Sequence, residues 1–104
     1  MMASFSRTQQ TSWMLSKQHL PDFSVRVEFN YTSTGSGELF FSYGQGEPVK
    51  WFTRFYTRGD NGIWKSSSVV IPAGLRTFYY FTGRIGGMNG FGTVAVDNVR
   101  VIQI

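Results

Sequence analysis

"FSVRVEFNY", residues 23–31, alternates without a break: Phe23, Val25, Val27, Phe29 and Tyr31 fall on one side, and Ser24, Arg26, Glu28 and Asn30 on the other. A period of two with one apolar side is the pattern of a β-strand that buries one face. A helix would need apolar residues three and four apart, and no segment of this chain shows that over a useful length. "TSTGSG" (32–37) follows with two glycines, and then "ELFFSYG" (38–44) is again extended in character. Two such runs around a short Gly/Ser/Thr loop predict a β-hairpin.

The rest of the chain repeats this grammar. "GQGEP" (44–48) reads as a turn, and "VKWFTRFYT" (49–57) as a strand with bulk on both faces. Strict alternation puts Val49, Trp51 and Phe55 on one face and Phe52 and Tyr56 on the other. "RGDNG" (58–62) breaks it, "IWKSSSVVI" (63–71) resumes, and Pro72-Ala73-Gly74 ends that run. "RTFYYFTGRI" (76–85) is the most aromatic strand, and "GGMNGFG" (86–92) is a glycine loop. Towards the N-terminus, "WMLSK" (13–17) is a short first strand, and residues 1–12 are a loose lead-in or edge strand. In "GTVAVDNVRVIQI" (92–104), Val94 and Val96 have one parity and Val99 and Val101 the other. A one-residue slip at Asp97-Asn98, a β-bulge, would return all four to the core. About seven strands with regular turn signals indicate an all-β fold, an antiparallel β-sandwich.

Composition agrees. In 104 residues there are ten Phe, five Tyr, three Trp and twelve Gly. Aromatic residues suit pleated, half-buried surfaces, and the length suits one domain, residues 1–104. The net charge of +4 comes from ten scattered Lys and Arg against only six acids. Without a Lys/Arg run, nucleic acid is not an expected partner. With no cysteine, neither a disulfide framework nor a thiolate metal site can form. No apolar run reaches the roughly 18 residues of a membrane span, so no membrane insertion is expected. "MMASFSRTQQ" lacks the apolar core of a signal peptide.

Candidate functional residues fall into a few groups. Arg58-Gly59-Asp60 is the tripeptide that adhesion receptors read, and Asp60-Asn61-Gly62 is ordinary turn chemistry. The loop is therefore an exposed turn, and a receptor-binding candidate. Trp51, Tyr56, Trp64 and Tyr79 are candidates for an aromatic binding surface, because such rings stack on partners while their polar tips stay wet. Asn30-Tyr31-Thr32 is a glycosylation acceptor pattern at Asn30. Asp97, at the suspected bulge, is the best single metal ligand, for Ca2+, or else satisfies backbone N–H groups freed there. Glycoside hydrolysis would need two acids on one face, which here means Glu28 and Glu38 on neighbouring strands. His19 is the single histidine and lies two residues before Pro21. Enzymatic groups are sparse, and no enzyme is expected.

The second half of the chain resembles the MAM domain, the adhesion module of meprins, neuropilins and receptor tyrosine phosphatases. The residues that carry this are Trp64 leading a strand with Val69 and Val70, then "FYYFTGRIGG", then "GTVAVDNV" at 92–99. The family's usual cysteines and its N-terminal portion are absent. The resemblance implies a jelly-roll sandwich at the cell surface or outside the cell, with no catalysis; no cofactor is expected apart from the Ca2+ that Asp97 could ligate. It also implies protein partners, by self-association or with neighbouring domains, and makes Asp97 a structural or cation-site residue. Bacterial and viral jelly-roll modules also end in a "V-x-V-D-N-V-x-V" strand. The alternatives are therefore a carbohydrate-binding module with glycan partners, and a capsid or fibre jelly roll.

Overall fold

The structure is a computed structural model and describes residues 3–7, 12–14, 18–59, 61–86 and 92–104. Those residues form nine strands: β1 (Ala3–Arg7), β2 (Ser12–Met14), β3 (Gln18–His19), β4 (Val25–Gly35), β5 (Gly37–Gln45), β6 (Lys50–Arg58), β7 (Lys65–Ile71), β8 (Phe78–Ile85) and β9 (Gly92–Gln103). They pair antiparallel in two sheets. The four-stranded sheet runs β1-β9-β4-β7, and the five-stranded sheet runs β2-β8-β5-β6 with β3 also on β8. The expected all-β sandwich is present, with β1 as the edge strand read in the lead-in. Among the described residues no helix is long and apolar enough to cross a membrane.

The predicted hairpin at 32–37 is not there. β4 and β5 belong to different sheets, so Gly35-Ser36-Gly37 is a corner between the two layers. The apolar sides of both strands then face each other across the core, an arrangement that a hairpin within one sheet cannot give. The corner is tight: a Cβ on Gly37 would lie 2.4 Å from the Thr93 carbonyl oxygen, and one on Gly92 would lie 2.1 Å from that of Thr34. The hydroxyls of Thr34 and Thr93 lie 2.7 Å apart, and the Thr93 N–H donates to Thr34 Oγ1 at 2.9 Å. The 58–62 break likewise joins β6 in one sheet to β7 in the other, so it is a crossover and not a hairpin turn.

The core lies between the inner faces. Val25, Val27 and Phe29 of β4 meet Leu39, Phe41 and Tyr43 of β5, with Tyr79 and Phe81 of β8 and Val94 and Val96 of β9. Phe29 is its hub, with ring centroids 5.9 Å from Phe41, 5.2 Å from Phe55 and 5.0 Å from Phe81. Two bulges set which side chains face it. In β9, Asp97 pairs with Asn30 and Arg100 with Glu28, so Asn98 and Val99 together oppose Phe29. The slip expected from the valine parities is thus real, with Asn98 at a positive φ of 53°. Val94 and Val96 are fully buried and Val99 packs against the core; Val101, opposite Val27, stays 43% exposed near the strand end.

The second bulge lies in β6. β6 pairs Phe55 with Phe41 and Thr53 with Ser42, which leaves Arg54 as an extra residue. The parity of the strand changes there. Phe52 and Phe55 both pack against the core, while Trp51 and Tyr56 both lie on the outer face. Strict alternation separates Trp51 from Tyr56; the bulge brings them together.

Candidate functional site on the outer face of the five-stranded sheet

The outer face of the five-stranded sheet is built in cross-strand rows. Along β5 the outward residues are Glu38, Phe40, Ser42 and Gly44, flanked on β8 by Arg84, Thr82, Tyr80 and Phe78. On β6 the same rows end in Arg58, Tyr56, Thr53 and Trp51. Rows two residues apart are separated by about 7 Å, so the four rows span roughly 20 Å. Glu38, Ser42 and Gly44 are buried along the centre, whereas Trp51 is 52% and Tyr56 50% exposed at the side. The face is therefore a floor along β5 with an aromatic wall on β6.

At one end the wall is dense. The Trp51 ring meets Phe78 edge to face at 5.1 Å and Tyr80 at 5.8 Å. Gly44 lies between Trp51 and Phe78 in its row, and a Cβ there would come within 2.7 Å of Phe78 Cζ. The glycine is what lets the two rings close over the central strand. His19 packs edge-on against Phe78 at 6.2 Å. In the middle, Ser42 Oγ and Thr53 Oγ1 are 3.1 Å apart, and Phe40 and Tyr56 contact at 4.9 Å.

At the other end stands a polar network around Glu38. Its Oε1 accepts from Arg84 Nε at 2.8 Å and lies 2.8 Å from Arg84 Nη2, and its Oε2 accepts from the Tyr56 hydroxyl at 2.6 Å. Burial pushes the Glu38 carboxyl up. The hydrogen bonds from Tyr56 and Arg84, with the charges of Arg84 and Arg58, outweigh that and hold its pKa below the usual value. The hydrogen bond to Glu38, with desolvation added, holds the Tyr56 hydroxyl above the ordinary tyrosine value. The Arg84 guanidinium carbon also lies 5.6 Å over the Phe40 ring.

The candidates read from the sequence divide accordingly. Trp51 and Tyr56 share this face. Tyr79 does not: it is 5% exposed and stacks on Phe41 in the core at 5.7 Å, and burial raises its hydroxyl pKa. Its neighbour Tyr80 takes the outer position, because adjacent residues of a strand face opposite ways. Trp64 is 51% exposed but precedes β7, at the edge of the other sheet. Phe40, Arg84 and Glu38 join Tyr80 on this surface without any motif of their own; the even-numbered parity of β5 and β8 is the signal that unites them.

The remaining candidates lie elsewhere. Arg58 ends β6 and belongs to the Glu38 row. Gly59, at φ 63°, donates its N–H to the Gly37 carbonyl at 3.1 Å, and Gly62, at φ 78°, donates to that of Ser33 at 3.1 Å. The loop is thus anchored to the corner at both glycines; Asp60 lies outside the described residues. Asn30 sits on β4, between β9 and β7, and its Oδ1 accepts from Ser66 Oγ at 2.8 Å. Asp97 Oδ1 accepts from the Asn98 N–H at 2.8 Å, so the carboxylate serves the bulge. Among the described residues no group of three or more His, Cys, Asp or Glu could hold a metal ion. Glu28 and Glu38 do not share a face. Glu28 is on the outer side of the four-stranded sheet, paired with Arg26 at 3.0 Å and Arg100 at 3.3 Å. There it lines a recess of about 320 Å³ with Asn30, Ser66, Ser68 and Asn98.

No protein-family model and no curated protein matches this sequence. Solved structures do match. The TmCBM61 structure in complex with β-1,4-galactotriose superposes with a TM-score of 0.67 at 16% identity, covering 97% of this chain and 69% of that one. A family 16 carbohydrate-binding module superposes with a TM-score of 0.58 at 13% identity, covering 96% and 74%. At these identities the likeness establishes the fold: this chain is a jelly-roll β-sandwich of the kind found in carbohydrate-binding modules.

Proposed function

We propose that this chain is a non-catalytic carbohydrate-binding module that holds an oligosaccharide along the outer face of its five-stranded sheet. One observation carries the reading. The bulge at Arg54 turns Trp51 and Tyr56 out beside Tyr80 and Phe40, over a floor of hydrogen-bonding groups. Ring faces of this kind pack on the C–H faces of pyranoses, while hydroxyl and guanidinium groups bond the sugar oxygens. That solved modules with this fold bind sugars, one of them shown with galactotriose, supports the assignment. Such a role belongs where polysaccharides are, at the cell surface or outside the cell.

A glycan array followed by calorimetry tests it. The chain should bind a defined set of polysaccharides, and Trp51→Ala should weaken that binding by about thirtyfold, the roughly 2 kcal/mol of an aromatic anchor. Circular dichroism should show the variant folded. Unchanged affinity in folded Trp51→Ala would overturn the assignment of the face. Self-association that sugars do not affect, with no glycan bound, would favour adhesion or assembly instead.

A further inference from the structure

The charge on this face points to the class of sugar. We infer that the site selects acidic oligosaccharides, with Arg84 receiving a uronate carboxylate while the aromatic wall stacks the neighbouring rings. This inference rests on the carbohydrate-binding reading above.

The row Arg84–Glu38–Arg58 sets an arginine on the strand at each side of one carboxylate, and the charges of both act on it. Glu38 is only 5% exposed, and both its oxygens are engaged, one by Arg84 and one by Tyr56. A ligand approaching the row therefore meets guanidinium and phenol, not carboxylate. The Arg84 side chain remains 46% exposed although it is anchored through Nε and Nη2 to one oxygen and laid over Phe40. Guanidinium carries five N–H donors, and the Glu38 contact occupies two of them. Its planar fork matches a carboxylate better than a neutral hydroxyl. Because the group is already held in place, little ordering cost accompanies binding. A neutral sugar would use the donors and leave the charge of the row uncompensated. The surplus of ten basic over six acidic residues in the chain adds attraction of the same sign.

The experiment compares polygalacturonate, its carboxyl-reduced neutral counterpart and β-1,4-galactan by calorimetry and affinity electrophoresis at low salt. Polygalacturonate should bind about tenfold or more tightly than its reduced form, as expected of a charge-assisted pair, and the preference should shrink as salt is raised. Arg84→Gln should bring the ratio towards one. Arg84→Lys, which keeps a charge beside Glu38 but loses the fork, should retain part of the preference. Equal affinity for the acidic and reduced polymers, or tighter binding of galactan than of either, overturns the inference and leaves the carbohydrate reading standing. Binding to none of the three overturns the inference, and the carbohydrate reading falls with it only if the glycan array is empty as well. Equal binding of double-stranded DNA would show that charge alone is read, and overturns the inference as well.

Discussion

Glu38 is a buried carboxylate at one end of a face that meets solvent, and it organises its surroundings. Arg84 and Tyr56 are held in position because each ends on one of its oxygens. Its pKa is lower in the fold than in the unfolded chain, where a glutamate titrates near pH 4.3. Stability from this group is therefore fully present above about pH 4.3 and is lost as pH falls through the lower folded value. Wild type should lose more stability than Glu38→Gln between about pH 6 and about pH 3, read from urea midpoints; parallel curves would contradict the network's role. At this scale the sequence was partly legible. Trp51 and Tyr56 stood out as surplus bulk on a strand that needed one dry face. Tyr79 and Tyr80 could not be told apart, because either tyrosine completes an alternating pattern until the register against β5 says which one points inward.

The two bulges show which element-scale features a sequence discloses. In β9 four valines change parity across Asp97-Asn98, and a core strand cannot tolerate that without a slip. In β6 aromatic residues occupy both parities, so removing or adding a residue looks equally good from either side and Arg54 gives no sign of being extra. The corner after β4 was hidden for a related reason: a glycine-bearing loop between two alternating runs suits a hairpin and a sandwich corner equally. What decides it is the close approach of Gly37 and Gly92 to the backbone of the other strand, a contact between residues far apart in sequence. The β9 bulge makes a quantitative prediction. Asn98 holds φ at 53°, which a residue with neither a short polar side chain nor glycine's freedom adopts at a cost. Asn98→Ala should destabilise the fold by about 1 kcal/mol relative to Asn98→Gly, measured as a shift in denaturation midpoint; equal stabilities would mean the bulge backbone is not strained.

For the whole molecule, the sandwich followed from alternation, the aromatic surplus and the shortage of helix-forming segments, and the closing "GTVAVDNV" strand supplied the jelly-roll expectation. Neither could assign the outer faces, since that requires the sheet order. Once β5 is placed between β8 and β6, the even-numbered residues of three strands become one surface. The polar face around Glu28 goes to the opposite side of the molecule. On the proposed reading, sugar binds to the first of these surfaces. A 1H–15N shift titration with the tightest-binding oligosaccharide of the glycan array is the decisive measurement. Shifts should concentrate on the outward rows of β5, β6 and β8, with the Trp51 indole N–H and the amides of Phe40, Ser42 and Tyr80 foremost. Shifts confined to the Glu28–Ser66 recess or to the loop after Arg58, or none at saturating sugar, would rule this surface out as the sugar site.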